Sequence, residues 1–190
     1  AGLYHARLLY TLCMRHQNLW APWRISYLKG LVDEPGSAEA GADPSDGCFL
    51  CAAFNELDDT QRRERMILLT DDRGSLMMNR YPYSNGHLLV SPKKHVADIS
   101  DLSSVERAGL MELADLGNRL LRKAMHCQGV NMGMNLGRCA GAGVPGHCHM
   151  HLVPRWNGDT NFMQACAGAR VIPQALEESY EMLLDEISNL

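Results

Sequence analysis

His147-Cys148-His149-Met150-His151-Leu152-Val153-Pro154-Arg155 places three histidines at every second position, ahead of an apolar pair and a proline. Side chains alternate faces along an extended strand. His147, His149 and His151 are therefore expected on one face, with Cys148, Met150 and Leu152 directed into a core. A loop rich in glycine (Gly137, Gly141, Gly143, Gly146) leads into this strand. Three imidazoles in a row, approached by a loop whose backbone can come close to a ligand, make a row of ligands or proton carriers.

Working outward, Met66–Thr70 and Ser75–Asn79 read as two strands joined by the turn Asp71-Asp72-Arg73-Gly74, and His87–Ser91 reads as a third, ended by Pro92. Ser103 with Glu106 three residues on is a capping box. Val105, Ala108, Leu113, Leu116, Leu120, Leu121 and Ala124 then recur at helical spacing, which predicts a long helix to about Met125. Val130–Asn135 is expected as a fourth strand, Cys148–Val153 as the fifth, and Gln174–Ile187 as a last amphipathic helix. Consecutive strands with one long crossover helix define an α+β domain built on a chiefly antiparallel five-stranded sheet. Residues 1–47, with Trp20-Ala21-Pro22-Trp23 and the turn-forming run Gly41–Gly47, are expected to be an arm and linker, and residues 48–190 the catalytic domain with its C-terminal helix.

The 190 residues suffice for one sizeable core. A formal charge of −4 without a basic stripe argues against a nucleic-acid groove. No apolar run is long enough to span a membrane, and the opening residues do not form a secretory signal. Seven cysteines, an odd number, point to reduced thiols and a cytoplasmic protein.

The order His147-Cys-His-Met-His-Leu-Val resembles the signature of the histidine triad superfamily, in which histidines alternate with apolar residues and an apolar pair follows. Asn79–Val90 is similar to that family's asparagine-bearing loop and following strand, and Pro92-Lys-Lys-His95 and Asn135-Leu-Gly137 fall in the matching order. Trp20–Arg24 and Pro154–Phe162 resemble the fragile-histidine-triad branch found in microbes, which includes diadenosine tetraphosphate phosphorylases and dinucleoside polyphosphate hydrolases. The resemblance implies attack on a nucleotide α-phosphorus, a nucleotidyl-histidine intermediate, and its breakdown by phosphate or water. A phosphoramidate or adenylyl-conjugate hydrolase and a nucleotide-binding signalling module are the alternatives.

By resemblance His149 is the nucleophile and His151 lies near the phosphate oxygens or the leaving group. Asn79 matches a ribose-binding asparagine, and Asn135 stands where some members carry a glutamine near the phosphate. The glycine loop, Gly143 within it, offers backbone amides to phosphate oxygens. Read on its own, Asn79 before a turn is also a local backbone cap. His87 matches a histidine that supports the nucleophile from behind, or is a satisfied core histidine. Val144-Pro-Gly146 departs from the polar residues usual at this point, so no leaving-group serine or glutamine is evident. Trp156 and Phe162 are candidates for stacking on a base, or core aromatics.

Cys48-x-x-Cys51 with His95 and His147 matches a combination by which several family members hold structural zinc, a four-ligand set that metal prefers. Two buried thiols acting as small apolar groups are the alternative. The three triad histidines on a single metal are a further reading, though i, i+2, i+4 positions reach one ion only awkwardly. No organic cofactor is implied. As partners the resemblance implies an adenine nucleotide and a second copy of the chain, the 103–125 helix packing on its equivalent in a homodimer.

Overall fold

The computed structural model describes residues 47–159, 172 and 174–189. The arm and linker expected over residues 1–47, apart from Gly47, lie outside the described residues, as does Phe162. Five strands form one sheet: β1 (Ile67–Asp71), β2 (Gly74–Met78), β3 (Leu88–Ser91), β4 (Gly129–Met134) and β5 (Met150–Arg155). Their order is β1-β2-β3-β5-β4 and every neighbouring pair is antiparallel, so the triad strand is inserted between β3 and the edge strand β4. Among the described residues three helices accompany the sheet: α1 (Asp59–Glu64), α2 (Ser104–Ala124) and α3 (Leu176–Ile187).

The capping box forms as the sequence dictates. Ser103 Oγ accepts from the Glu106 N–H, and the Glu106 carboxylate accepts from the Ser103 N–H. Helix α2 then buries Leu110, Leu113, Ala114, Gly117, Leu120, Leu121 and Ala124. These pack against Leu76, Leu88, Val90, Met150 and Leu152 of the sheet, against Cys148 just ahead of β5, and against Tyr180 and Leu183 of α3. Val105, which the spacing assigned to this stripe, is 80% exposed, because the buried face begins one turn later. Gly117 is where helix and sheet come closest: a Cβ there would lie 2.5 Å from Leu152 Cδ1.

The opposite face of the sheet carries a smaller core of Leu50, Ala53, Ile67, Met77 and Leu89. Alternation along β3 and β5 puts His87 and His151 on this second face, while Leu88, Val90, Met150 and Leu152 fill the first. Helices on one side thus leave the other for the site.

Strand β5 begins at Met150, two residues later than the pattern predicts. Val90 is the last residue of β3 to pair with β5, opposite Met150; continuing the register would set Ser91 against His149 and then Pro92 against Cys148, and proline has no N–H to offer a ladder. The Cys148 N–H bonds instead to the Val96 carbonyl at 2.7 Å. His147 and His149 therefore stand on a segment that has left the sheet, and only His151 belongs to the strand. The core-directed half of the reading holds, with Cys148, Met150 and Leu152 all buried.

Candidate active site and metal centre

The departure of the chain at Pro92 divides the three histidines between two centres. His147 is fully buried and turns its Nδ1 to Cys48 Sγ (3.4 Å) and Cys51 Sγ (3.3 Å). His95 brings its Nδ1 to Cys51 Sγ at 3.1 Å. One ligand atom from each of Cys48, Cys51, His95 and His147 lies within 4.8 Å of the others. The His147 Nε2–H donates to the Pro92 carbonyl at 3.0 Å, which leaves Nδ1 as the lone-pair nitrogen facing the sulfurs. Burial, foremost, holds the His147 imidazole below its usual pKa and hence neutral, the state a ligand needs. The residues present fit a four-coordinate zinc of the closed type. Among the described residues the metal-ligating group takes in His147 and not His149 or His151, so three imidazoles on one ion are not what the fold assembles.

His149 is also buried, and its Nδ1 lies 2.9 Å from the His147 carbonyl oxygen. A carbonyl only accepts, so the proton is on Nδ1 and Nε2 carries a lone pair. His151 shows the reverse arrangement. Its Nδ1 is 3.0 Å from His87 Nε2, and its own Nε2 is a buried nitrogen with no partner among the described residues. Burial first, then the neighbouring His149, lowers the His151 pKa. The two rings meet edge to face, their centroids 4.9 Å apart.

His87 is fully buried behind His151, and its hydrogen bond goes to that residue. Burial, with His151 and then His149 nearby, pushes its pKa down to about 3. Asn79 makes the turn after β2. Its Oδ1 accepts from the Tyr81 N–H at 2.9 Å, while its Nδ2 lies 3.3 Å from His87 Nδ1. The local-cap reading of Asn79 is therefore realised; the second lone pair on Oδ1 is what remains for a ribose hydroxyl. Beside it opens a cavity of about 310 Å³ walled by Phe49, Arg65, Met77, Asn79 and Tyr81. Phe49 lies between the two cysteines in sequence, so the same short turn supplies metal ligands and a cavity wall.

Asn135 donates from Nδ2 to the Gly141 carbonyl at 3.4 Å, tying down the glycine loop. Gly137 and Gly141 take positive φ, 82° and 92°, which explains glycine at those two positions. The Ala140, Gly141, Ala142 and His147 amides bond to carbonyls within the loop, so those four amides are not phosphate donors in this conformation. Gly143 is exposed, with open space where a side chain would stand. Trp156 donates from its indole N–H to the Met125 carbonyl and packs on the main core, the structural option of the two considered for it. Sequence reasoning missed Tyr83, whose ring stacks on His151 with centroids 5.8 Å apart, and Pro92, whose carbonyl orients His147. Proline at a strand end was a visible signal for the second; an aromatic in a loop gave none for the first.

A five-stranded antiparallel sheet carries a divided histidine triad beside a two-cysteine, two-histidine cluster, the arrangement of an α+β histidine-triad domain. Comparison with known proteins agrees. Residues 60–158 match the model of the HIT domain, and the chain belongs to that family. It is 34% identical over 170 residues to the AP-4-A phosphorylase of Mycobacterium tuberculosis, covering 90% of this chain and 84% of the relative. Among solved structures it is similar to a zinc-bound histidine triad family protein from Mycobacterium smegmatis, with a TM-score of 0.60 and 26% identity over 76% of this chain and 96% of that one. A hypothetical histidine triad nucleotide-binding protein from Sulfolobus tokodaii follows with a TM-score of 0.59 and 27% identity, covering 75% and 93% respectively.

Proposed function

We propose that the protein cleaves dinucleoside polyphosphates such as diadenosine tetraphosphate at an α-phosphate, through a nucleotidyl intermediate on His149 that phosphate or water then resolves. The observation that carries this reading is the opposite protonation of adjacent imidazoles. His149 holds its proton on Nδ1 and offers a lone pair at Nε2, whereas His151 accepts at Nδ1 and, when neutral, holds its proton on Nε2. One ring is set up to attack and the other to donate. The likeness to the phosphorylase over nine-tenths of the chain supports the substrate class.

His149 Nε2 attacks the α-phosphorus; a nitrogen–phosphorus bond forms and the bond to the bridging oxygen breaks, releasing ATP from diadenosine tetraphosphate. Charge accumulating on the phosphate oxygens is met by the His151 Nε2–H, which no atom of the described residues engages. An unsatisfied buried donor costs about 1–3 kcal/mol, so a phosphate oxygen arriving there removes a penalty the free protein carries. The His147 carbonyl accepts more strongly as the His149 ring gains positive charge, which stabilises the adduct. Inorganic phosphate attacking the same phosphorus gives ADP, and water gives AMP. The cavity beside Asn79 is of a size and lining suited to the nucleoside.

Zinc bound by Cys48, Cys51, His95 and His147 is structural in this account and supplies rigidity to the segment that carries His149. Exposed Val105 and Met111 on α2 are apolar groups that a second copy would cover, which supports a homodimer. The described residues contain no helix long and apolar enough to cross a membrane, and the described cysteines are not joined in disulfides, which supports a cytoplasmic enzyme.

Product analysis with diadenosine tetraphosphate, run with and without inorganic phosphate, tests the reading. ADP and ATP appearing only with phosphate identifies a phosphorylase; AMP and ATP without it identifies a hydrolase. No cleavage under either condition would overturn the proposal.

A further inference from the structure

We infer that Asn79, His87 and the main-chain N–H of Tyr83 form a tautomer lock, positioning residues that hold His151 as an Nε2–H donor and prevent it from competing with His149 as nucleophile. The inference deepens the proposed function and rests on it for the meaning of the donor, though the lock is a property of the free protein.

The hydrogen bonds leave one arrangement. The Tyr83 N–H is 3.0 Å from His87 Nδ1, and a main-chain N–H can only donate. The Asn79 amide lies 3.3 Å from the same nitrogen. With Asn79 Oδ1 accepting from the Tyr81 N–H, the group facing His87 is the amide NH₂, a second donor. His87 Nδ1 is thus an acceptor twice over and carries no proton. A neutral imidazole bearing no proton on Nδ1 bears one on Nε2. That proton points at His151 Nδ1, 3.0 Å away. His151 Nδ1 is therefore an acceptor too, and its proton resides on Nε2, the nitrogen left without a partner among the described residues. The direction of every bond follows from one peptide N–H in the loop between β2 and β3.

Packing keeps the chain aligned. The Tyr83 ring lies against both imidazoles, at centroid distances of 4.6 Å from His87 and 5.8 Å from His151. His87 is sealed from solvent, so water cannot supply an alternative partner to either nitrogen. The triad thus gains a fourth histidine that meets no substrate and sets what the third one does. In serine proteases, wrong tautomer control of a catalytic histidine costs about 10⁴ in kcat, which bounds the effect expected here.

The test is ¹⁵N NMR of the ring nitrogens in the substrate-free protein, combined with His87→Gln and His87→Leu. In the parent protein His151 should show a protonated Nε2 and an unprotonated Nδ1, and His149 the opposite pair. His87→Gln keeps a side-chain N–H directed at His151 Nδ1, so it should preserve the His151 tautomer and most of kcat. His87→Leu should give His151 a mixture of tautomers and lower kcat at least about tenfold, with KM changing less. Thermal unfolding separates this from simple loss of fold: His87→Leu loses the acceptor for the Tyr83 N–H while His87→Gln keeps a carbonyl oxygen, so tautomer and kcat are read for each variant well below its own Tm, on folded protein. A His151 protonated on Nδ1 in the parent, or Leu and Gln variants equal in tautomer and kcat, would overturn the lock. Neither result bears on whether His149 forms the adduct, so the two claims fail separately.

Discussion

His149 and His147 are joined by a hydrogen bond two residues long: the Nδ1–H of the one donates to the main-chain carbonyl of the other at 2.9 Å. The His147 ring meanwhile belongs to the two-cysteine, two-histidine cluster, with its Nδ1 between Cys48 and Cys51. One residue therefore gives its side chain to the proposed metal and its backbone to the proposed nucleophile. The arrangement needs no strand at this point, and it forms where Pro92 has released the chain from the ladder.

Replacing His149 by alanine removes the attacking nitrogen while leaving the cavity beside Asn79 intact. Turnover of diadenosine tetraphosphate should fall by at least about 10³-fold, as for loss of other enzymic nucleophiles. Affinity for AMP, measured by calorimetry, should change little. Residual turnover near the parent value would remove His149 from the role.

Metal removal should destabilise the protein. A chelator strong enough to strip zinc, or Cys51→Ser, should lower Tm by several degrees, given about 2–4 °C per kcal/mol for a chain of this size. Elemental analysis of the untreated protein should find about one zinc per chain. An unchanged melting curve together with no bound metal would contradict the centre.

Acid should unfold the protein over a defined window. His87 has a folded pKa of about 3, well below its unfolded value near 6.5. Above the unfolded value both states are neutral and the group contributes no pH dependence. As pH falls from about 6.5 towards 3 the unfolded chain takes up a proton that the folded chain refuses, so stability drops by up to about 1.4 kcal/mol per pH unit. His151, also lowered, adds in the same direction. Denaturant titrations at several pH values should show this slope flattening in the His87→Leu variant.

Gly117→Val inserts carbon where a Cβ already falls 2.5 Å from Leu152 Cδ1 and 3.1 Å from Leu76 Cδ1. Overpacking of this kind costs about 1–3 kcal/mol, and equilibrium unfolding should read it. Because Leu152 adjoins His151 in β5, kcat should fall as well. A variant as stable and active as the parent would mean that α2 has room to move off the sheet.

Much of the site was legible because alternation and spacing carry it. Cys148, Met150 and Leu152 are buried as an extended segment requires, and Cys48, Cys51, His95 and His147 converge as the resemblance implied. What sequence could not give depends on hydrogen-bond direction and on neighbours distant in the chain. His87 meets His151 across 64 residues, and nothing local distinguishes that from support of His149. Asn79 and Asn135 each tie down their own loop, a local role that the resemblance to a ribose- and phosphate-binding pattern does not express. Val105 matched the helical period yet lies on the open face, since a period fixes a stripe and not where the sheet beneath it ends.

The most direct test of the central claim is to quench the protein during turnover of diadenosine tetraphosphate and locate any adenylyl group by mass spectrometry of its peptides. The account predicts an acid-labile AMP adduct on His149, absent from His149→Ala and cleared by inorganic phosphate or water. Product formation with no adduct at any time, or an adduct on His151, would contradict it.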